Sequence, residues 1–275
     1  MTISIRRGLV ATEYGYIHYR QAGAGEPIVL LHINQQSSDL YRELIRALAP
    51  RFNVVAVDFP SHGCSDHISF QPTLTDYGNA VDAVMTALGH QRYTVLGEAT
   101  GSGVAIELAS TRKDRIVLCV LVNCPELDRP PEEELAQFRD ELRPSDETGF
   151  PRIRTIDWWL THDPLHAPMA PTQEYMDRIN RAQIECGRDR WQALTALHYY
   201  DLKGGQTRID CPVLLLVGEH FYCRDKVETI SGRIKDCRWY ELPGGRFCAG
   251  WEKADEIAAR VIAFAAEQKV LPSVG

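Results

Sequence analysis

Short apolar runs and longer periodic segments take turns along the first half of this chain. Ile28-Val-Leu-Leu31, Phe52-Asn-Val-Val-Ala-Val57, Tyr93-Thr-Val-Leu96 and Ile116-Val-Leu-Cys-Val-Leu-Val122 are almost unbroken in apolar residues. Such runs mark strands covered on both faces, because a strand with one wet face alternates instead. Gly15-Tyr-Ile-His-Tyr-Arg20 does alternate and reads as a half-buried strand. Tyr41–Leu48, Leu74–Leu88 and the stretch after Gly101 carry helical spacing, and Pro50 and Gly89 stop the first two. Strand and helix in strict alternation predict an α/β protein with a mostly parallel central sheet and helices on both faces.

The pattern changes at Asn123. Between Asp128 and Asp201 no strand-like run occurs; charged helical segments cover Glu132–Leu142, Pro151–His162, Thr172–Cys186 and Arg190–Tyr200. Pro130, Pro131, Pro144, Pro164, Pro168 and Pro171 punctuate them. Residues 128–201 therefore read as a helical cap inserted into a core made of 1–127 and 202–275. Alternation resumes with a strand at Val213–Val217, a helix after Asp225, a strand at Arg238–Leu242 and an amphipathic helix at Ala254–Glu267.

Composition narrows the functional classes. The 275 residues are 44% hydrophobic, enough for a sizeable core, and carry a net charge of -7 spread along the chain. That balance argues against a nucleic-acid partner, which calls for a basic face. No apolar run is long enough to span a bilayer, and Met1–Gly8 has no apolar signal-peptide segment, so neither membrane nor secretion is expected. The eight cysteines form no Cys-x-x-Cys pair and read as thiols of a cytoplasmic protein. Neither metal nor cofactor is expected: none of the nine histidines has a metal-ligand spacing, since Pro164 separates His162 from His166. His18, His62, His67 and His90 read as surface or turn residues.

The chemistry-bearing motif is an interrupted one. Tyr93 to Ala109 reads strand, sharp turn, helix, and its turn Gly97-Glu-Ala-Thr-Gly101 fits the frame of the nucleophile elbow Gly-x-Ser-x-Gly, with the methyl of Ala99 at the nucleophile position. Gly25-Glu-Pro-Ile-Val-Leu-Leu-His32, Asp58-Phe-Pro-Ser-His-Gly-Cys-Ser-Asp66 and Leu242-Pro-Gly-Gly-Arg-Phe-Cys-Ala-Gly-Trp-Glu-Lys253 accompany it. With these four stretches the chain resembles the α/β-hydrolase superfamily over nearly its whole length. The resemblance implies a serine–histidine–acid triad at the carboxyl edge of the sheet. Matched by position, the serine is Ala99, the acid is Phe221 and the base is Phe247. It also implies an oxyanion pocket from the backbone N–H groups of Thr100 and Asn34, reshaped by Ile33 where a glycine is common. Gln35 and Gln36 add amides at its mouth, and Trp158, Trp159, Met169, Tyr175 and Met176 are the apolar cap residues. No catalytic residue is certain; Glu98, beside the elbow tip, is the candidate base.

Triad-less members of this superfamily include a peptide epimerase of bottromycin biosynthesis, and the apolar triad remnant here is similar. That resemblance implies a non-hydrolytic isomerase of ribosomal peptide natural-product maturation. A substrate aspartyl carboxylate, desolvated in the apolar pocket, would take the adjacent Cα proton and return it to the other face. The ligand is then a modified peptide or another small molecule, bound by Ile33, Asn34, Gln35, Ala99, Thr100, Trp158, Phe221 and Phe247. Two alternatives stay open: a non-catalytic binding or self-resistance protein, and a small-molecule lyase or cyclase using Glu98, His220 or a cysteine such as Cys223 or Cys248.

Overall fold

In chain order the strands are β1 (Arg6–Thr12), β2 (Gly15–Ala22), β3 (Glu26–Leu31), β4 (Phe52–Val57), β5 (Tyr93–Glu98), β6 (Ile116–Val122), β7 (Val213–Gly218) and β8 (Cys237–Leu242). They build one sheet of eight strands in the spatial order β1-β2-β4-β3-β5-β6-β7-β8. β1, β2 and β4 pair antiparallel, and every pairing from β4 to β8 is parallel. The computed structural model behind this description covers residues 3–128, 131, 133, 155–162 and 172–271.

The described helices are α1 (Arg42–Leu48), α2 (Leu74–Ala87), α3 (Thr100–Thr111), α4 (Ile156–His162), α5 (Gln173–Cys186), α6 (Gln192–Tyr199), α7 (Leu202–Thr207), α8 (Val227–Arg233), α9 (Ala249–Glu252) and α10 (Ala254–Glu267). Successive strand residues point to opposite faces, so each apolar run feeds two cores. Val29, Leu31, Val55, Val57 and Val95 pack with Tyr77 and Val81 of α2 and Val104 and Leu108 of α3. Ile28, Leu30, Val54, Leu96 and Val120 pack with Leu44 and Ile45 of α1 and Ile257, Val261 and Phe264 of α10. The expected α/β architecture, a mostly parallel sheet with helices on both faces, is what the chain adopts.

Helix ends follow their caps. Thr73 and Asp76 form a reciprocal capping box at the start of α2, and the Thr172 side chain accepts the Tyr175 N–H at the start of α5. β1 was not foreseen from the pattern, because this edge strand has no fully buried position to mark its period. The expected helix over Glu132–Leu142 falls, but for Glu133, outside the described residues, as does Met169. No helix among the described residues is long and apolar enough to cross a membrane.

One histidine expectation is corrected and one refined. His18 is buried in β2, not at the surface, and His62 lies in a turn as expected but is buried there. Asp58 is the reason for the first: its carboxylate accepts His18 Nδ1–H (2.8 Å) and the N–H groups of Ser38 (2.6 Å) and Cys64 (2.9 Å). Burial works against that charge, but the His18 hydrogen bond and charge outweigh it and hold the acid down to about 2. The carboxylate thus ties β2, the loop after β3 and the loop after β4 into one knot. His18, Asp58 and Cys64 bring possible metal-ligand atoms within 4.8 Å of one another. Both Asp58 oxygens and the facing His18 nitrogen are already spent on the knot.

β4 lies on one side of β3 and β5 on the other. This reversal of strand order opens a crevice at the carboxyl ends of β3 and β5, the usual binding place in an open parallel sheet.

Candidate active site

The turn after β5 is set by backbone crowding. Leu31 pairs with Gly97, so the ends of β3 and β5 lie side by side. A Cβ on Gly97 would come within 2.1 Å of the Gly101 carbonyl oxygen, and a Cβ on Gly101 within 2.1 Å of the Leu31 carbonyl oxygen. Only glycines allow the helix to start this close to the strands. Between them Ala99 has φ 47° and ψ -107°, a conformation that side-chain-bearing residues rarely adopt. It is pinned by its N–H to Val122 O (2.9 Å) and by Ser102 N–H to its own carbonyl (3.0 Å).

Such strain costs about 1–3 kcal/mol, partly offset in glycine by about 0.5–1 kcal/mol of extra chain entropy. Ala99→Gly is therefore expected to stabilise the protein by about 1 kcal/mol, read as a raised urea midpoint with an unchanged m-value. A lowered midpoint would show that the turn is relaxed around alanine.

The loop after β3 supplies the other side. His32 donates through Nδ1 to Ile33 O (2.8 Å) and accepts the Phe59 N–H at Nε2 (3.1 Å). Both ring nitrogens are used in the neutral form, and burial lowers its pKa. Gln36 N–H to Ile33 O (3.2 Å) closes the turn, with Gln35 at φ 62°. The N–H groups of Thr100 and Asn34 make no hydrogen bond among the described residues, so both remain available to an oxyanion.

These turns floor a cavity of about 570 Å³. Of the residues singled out from sequence, Ile33, Asn34, Gln35, Gln36, Ala99, Thr100, Trp159 and Phe247 line it. Trp158, Phe221, Tyr175 and Met176 do not, the last two packing in the second core. Trp159, edge-to-face on Trp158 at 5.4 Å, takes the wall position, and Trp158 packs at the margin of the second core. Phe221 is buried in the first core, and its neighbour Tyr222 lines the cavity instead, with ring centroids 4.4 Å apart. Adjacent residues on a helix or turn face different ways, which is why each position is off by one.

Glu98 lies behind the wall and not on it. It is fully buried, accepting the Tyr41 hydroxyl (3.0 Å) and the Gly250 N–H (3.0 Å). Burial pushes its pKa up to about 7. His220 is exposed and is absent from the cavity wall. Cys248 lines the cavity, but burial and the adjacent Glu98 charge push its thiol far up, so it stays protonated; burial raises Cys223 as well. A protonated thiol is a poor nucleophile.

Sequence reasoning missed His198 of α6 and Gln183 of α5, both on the wall. Burial lowers the His198 pKa and so favours the neutral ring, the form that acts as a base. No local motif marks either residue; only the placement of the two helices over the crevice brings them in.

A family model described as the alpha/beta hydrolase fold matches residues 26–220. Over 110 residues the chain is 36% identical to haloalkane dehalogenase 2 of Mycobacterium tuberculosis, a stretch covering 40% of this chain and 38% of that relative. Among solved structures, the enol-lactonase from Burkholderia xenovorans LB400 superposes with TM-score 0.75 at 21% identity, over 94% of this chain and all of that one, 100%. Haloalkane dehalogenase DbeA from Bradyrhizobium elkani gives TM-score 0.76 at 17% identity, over 97% of this chain and 99% of that one. These relatives correct the functional expectation. Their names are those of hydrolytic enzymes and none is an epimerase, which turns the reading away from a non-hydrolytic peptide isomerase and from its binding-protein and lyase alternatives. The error lay in taking the alanine of the Gly97–Gly101 turn as a statement about the reaction.

Proposed function

Because the chain belongs to the alpha/beta hydrolase fold family, we propose that it is a hydrolase of small, largely apolar carbonyl compounds in which water replaces the side-chain nucleophile. The triad positions are read as Ala99, Phe221 and Phe247, so no covalent acyl-enzyme forms. The observation that carries the proposal is one cavity holding the Thr100 and Asn34 N–H groups and the neutral imidazole of His198.

In this mechanism the substrate carbonyl oxygen sits between the two N–H groups. A water occupies the space beside the Ala99 methyl. Its oxygen bonds to the carbonyl carbon while His198 takes its proton, and the carbonyl π pair moves onto the oxyanion. On collapse the bond to the leaving alcohol breaks and the His198 proton passes to the alkoxide. Oxyanion donors and binding alone sustain about 10³–10⁴-fold over water in triad enzymes stripped of their side chains, so turnover is expected to be slow. We read 128–201 as the cap that closes the cavity and the remainder as the core. Eight free thiols support a reducing, cytoplasmic setting.

Steady-state hydrolysis of p-nitrophenyl butyrate tests this. His198→Gln is expected to lower kcat about a hundredfold with little change in KM, the usual worth of a general base. Turnover by the native protein no faster than buffer, an acyl adduct in its intact mass, or an unaffected kcat in His198→Gln would each defeat the mechanism.

A further inference from the structure

We propose that the cavity selects substrates presenting a neutral amide, with Gln35, Gln36 and Gln183 as the specificity-determining residues. This rests on the hydrolytic reading only in taking the cavity as the place where substrate binds. The three residues come from two separate elements, the loop after β3 and helix α5, and all line the cavity. Each residue is more than nine-tenths buried, at 8%, 5% and 5% exposure. None of their side-chain amides is hydrogen-bonded to another described residue, and the amide atoms open into the cavity, whereas the neighbouring Asn34 Oδ1 is buried without a partner. Amides that face the cavity and are unbonded by the protein are open to whatever enters it, and the buried Asn34 oxygen without a partner carries a cost. A ligand that bonds the three amides gains specificity, and one that also donates to Asn34 recovers that cost.

The rest of the wall decides the ligand's chemistry. Among the described residues it contains no Asp, Glu, Lys or Arg, and it is faced by Trp159, Trp191, Tyr222 and Leu197. A carboxylate or ammonium would enter without a counter-charge and pay for its desolvation. A hydrocarbon would leave all three glutamines unpaired. A primary or secondary amide both donates and accepts, as the glutamine side chain does, so its edge matches theirs donor to acceptor. Its apolar remainder fits the aromatic walls. The volume, about 570 Å³, suits a ligand of that kind with one or two side chains.

The test is binding of N-acetyl-L-leucinamide, its methyl ester analogue and its free carboxylate, followed through tryptophan fluorescence of the native protein. The amide is expected to bind roughly tenfold tighter than the ester, which lacks the amide donor, and tighter still than the carboxylate. Gln183→Met and Gln35→Met, matched in length and without hydrogen-bonding amides, should shrink the amide-to-ester ratio toward unity while retaining native circular dichroism. If Gln183→Met fails to fold, the ratio in the native protein still decides. Equal affinities, no saturable binding of the amide at millimolar concentration, or an unchanged ratio in folded variants would overturn the proposal. Ester turnover without amide preference would end this inference and spare the hydrolytic one; amide-selective binding without turnover would do the reverse.

Discussion

Replacing Gly101 by alanine is expected to abolish the native fold. The new methyl would lie 2.1 Å from the Leu31 carbonyl oxygen, 2.7 Å from the Leu31 carbonyl carbon and 2.8 Å from the His32 carbonyl oxygen. All three are backbone atoms at the end of a central strand, so no side-chain rotation relieves the clash. Either α3 moves off the sheet or β3 leaves its pairing with β5, and both cores lose contacts at once. A loss above about 5 kcal/mol follows, comparable with the whole stability of many domains. The internal control is Gly78 in α2, where a Cβ meets only the side chains of Leu108 at 3.5 Å and Glu107 at 3.7 Å, both ordinary contacts. Gly78→Ala should therefore fold, with a gain of up to about 1 kcal/mol from helix propensity. Soluble yield and urea unfolding of the two variants make the comparison. A native-like Gly101→Ala protein would mean that helix and strands are not held as close as described.

The same crowding explains what was legible in the chain beforehand. β3, β4, β5 and β6 announced themselves because strands covered on both faces need apolar residues at every position. The elbow was legible because Gly97 and Gly101 answer to backbone distances that no other residue satisfies. β1 was not, since an edge strand with no fully buried residue imposes no such demand. The burial of His18 and His62 was not legible because it comes from Asp58 and from the aromatic cluster of His32, Phe59 and Tyr77, which assemble only in three dimensions. The cavity wall was half legible. Floor residues sit at fixed offsets from the elbow and from β3, whereas the choice between Trp158 and Trp159, and the places of Gln183 and His198, depend on how α4, α5 and α6 lie. Reaction type was the least legible feature. A methyl at Ala99, read as the nucleophile position, does not specify a reaction, and the relatives' hydrolytic names pointed elsewhere than that reading did.

Glu98 gives the largest expected pH effect. Its carboxyl is fully enclosed, and the loss of water is the main cause that raises its pKa from 4.5 to about 7, against the opposing Gly250 and Tyr41 hydrogen bonds. The direction of the linkage follows. Below the unfolded value both states are protonated and stability is full. Between the two values the folded state keeps a proton that the unfolded chain has released, so stability falls as pH rises. Above pH 7 the loss is complete, at about 3 kcal/mol for a shift of this size. The hydrogen bonds supply a structural counterpart. Tyr41 Oη lies 3.1 Å from Leu31 O and 3.0 Å from Glu98 Oε2. A neutral Glu98 can donate to Tyr41 while Tyr41 donates to Leu31; an ionised one takes the tyrosine proton and leaves that carbonyl unserved. Glu98→Gln reproduces the neutral arrangement at every pH, its amide donating to Tyr41 and its oxygen accepting the Gly250 N–H. The variant should match the native protein near pH 4.5 and exceed it by up to about 3 kcal/mol at pH 8, measured as urea unfolding free energy. Subtracting one curve from the other isolates this group, because Asp58 and its partners titrate alike in both proteins. Parallel curves across pH 4.5–8 would show that Glu98 is ionised in the folded state throughout, and with it that the wall behind Cys248 is not dry.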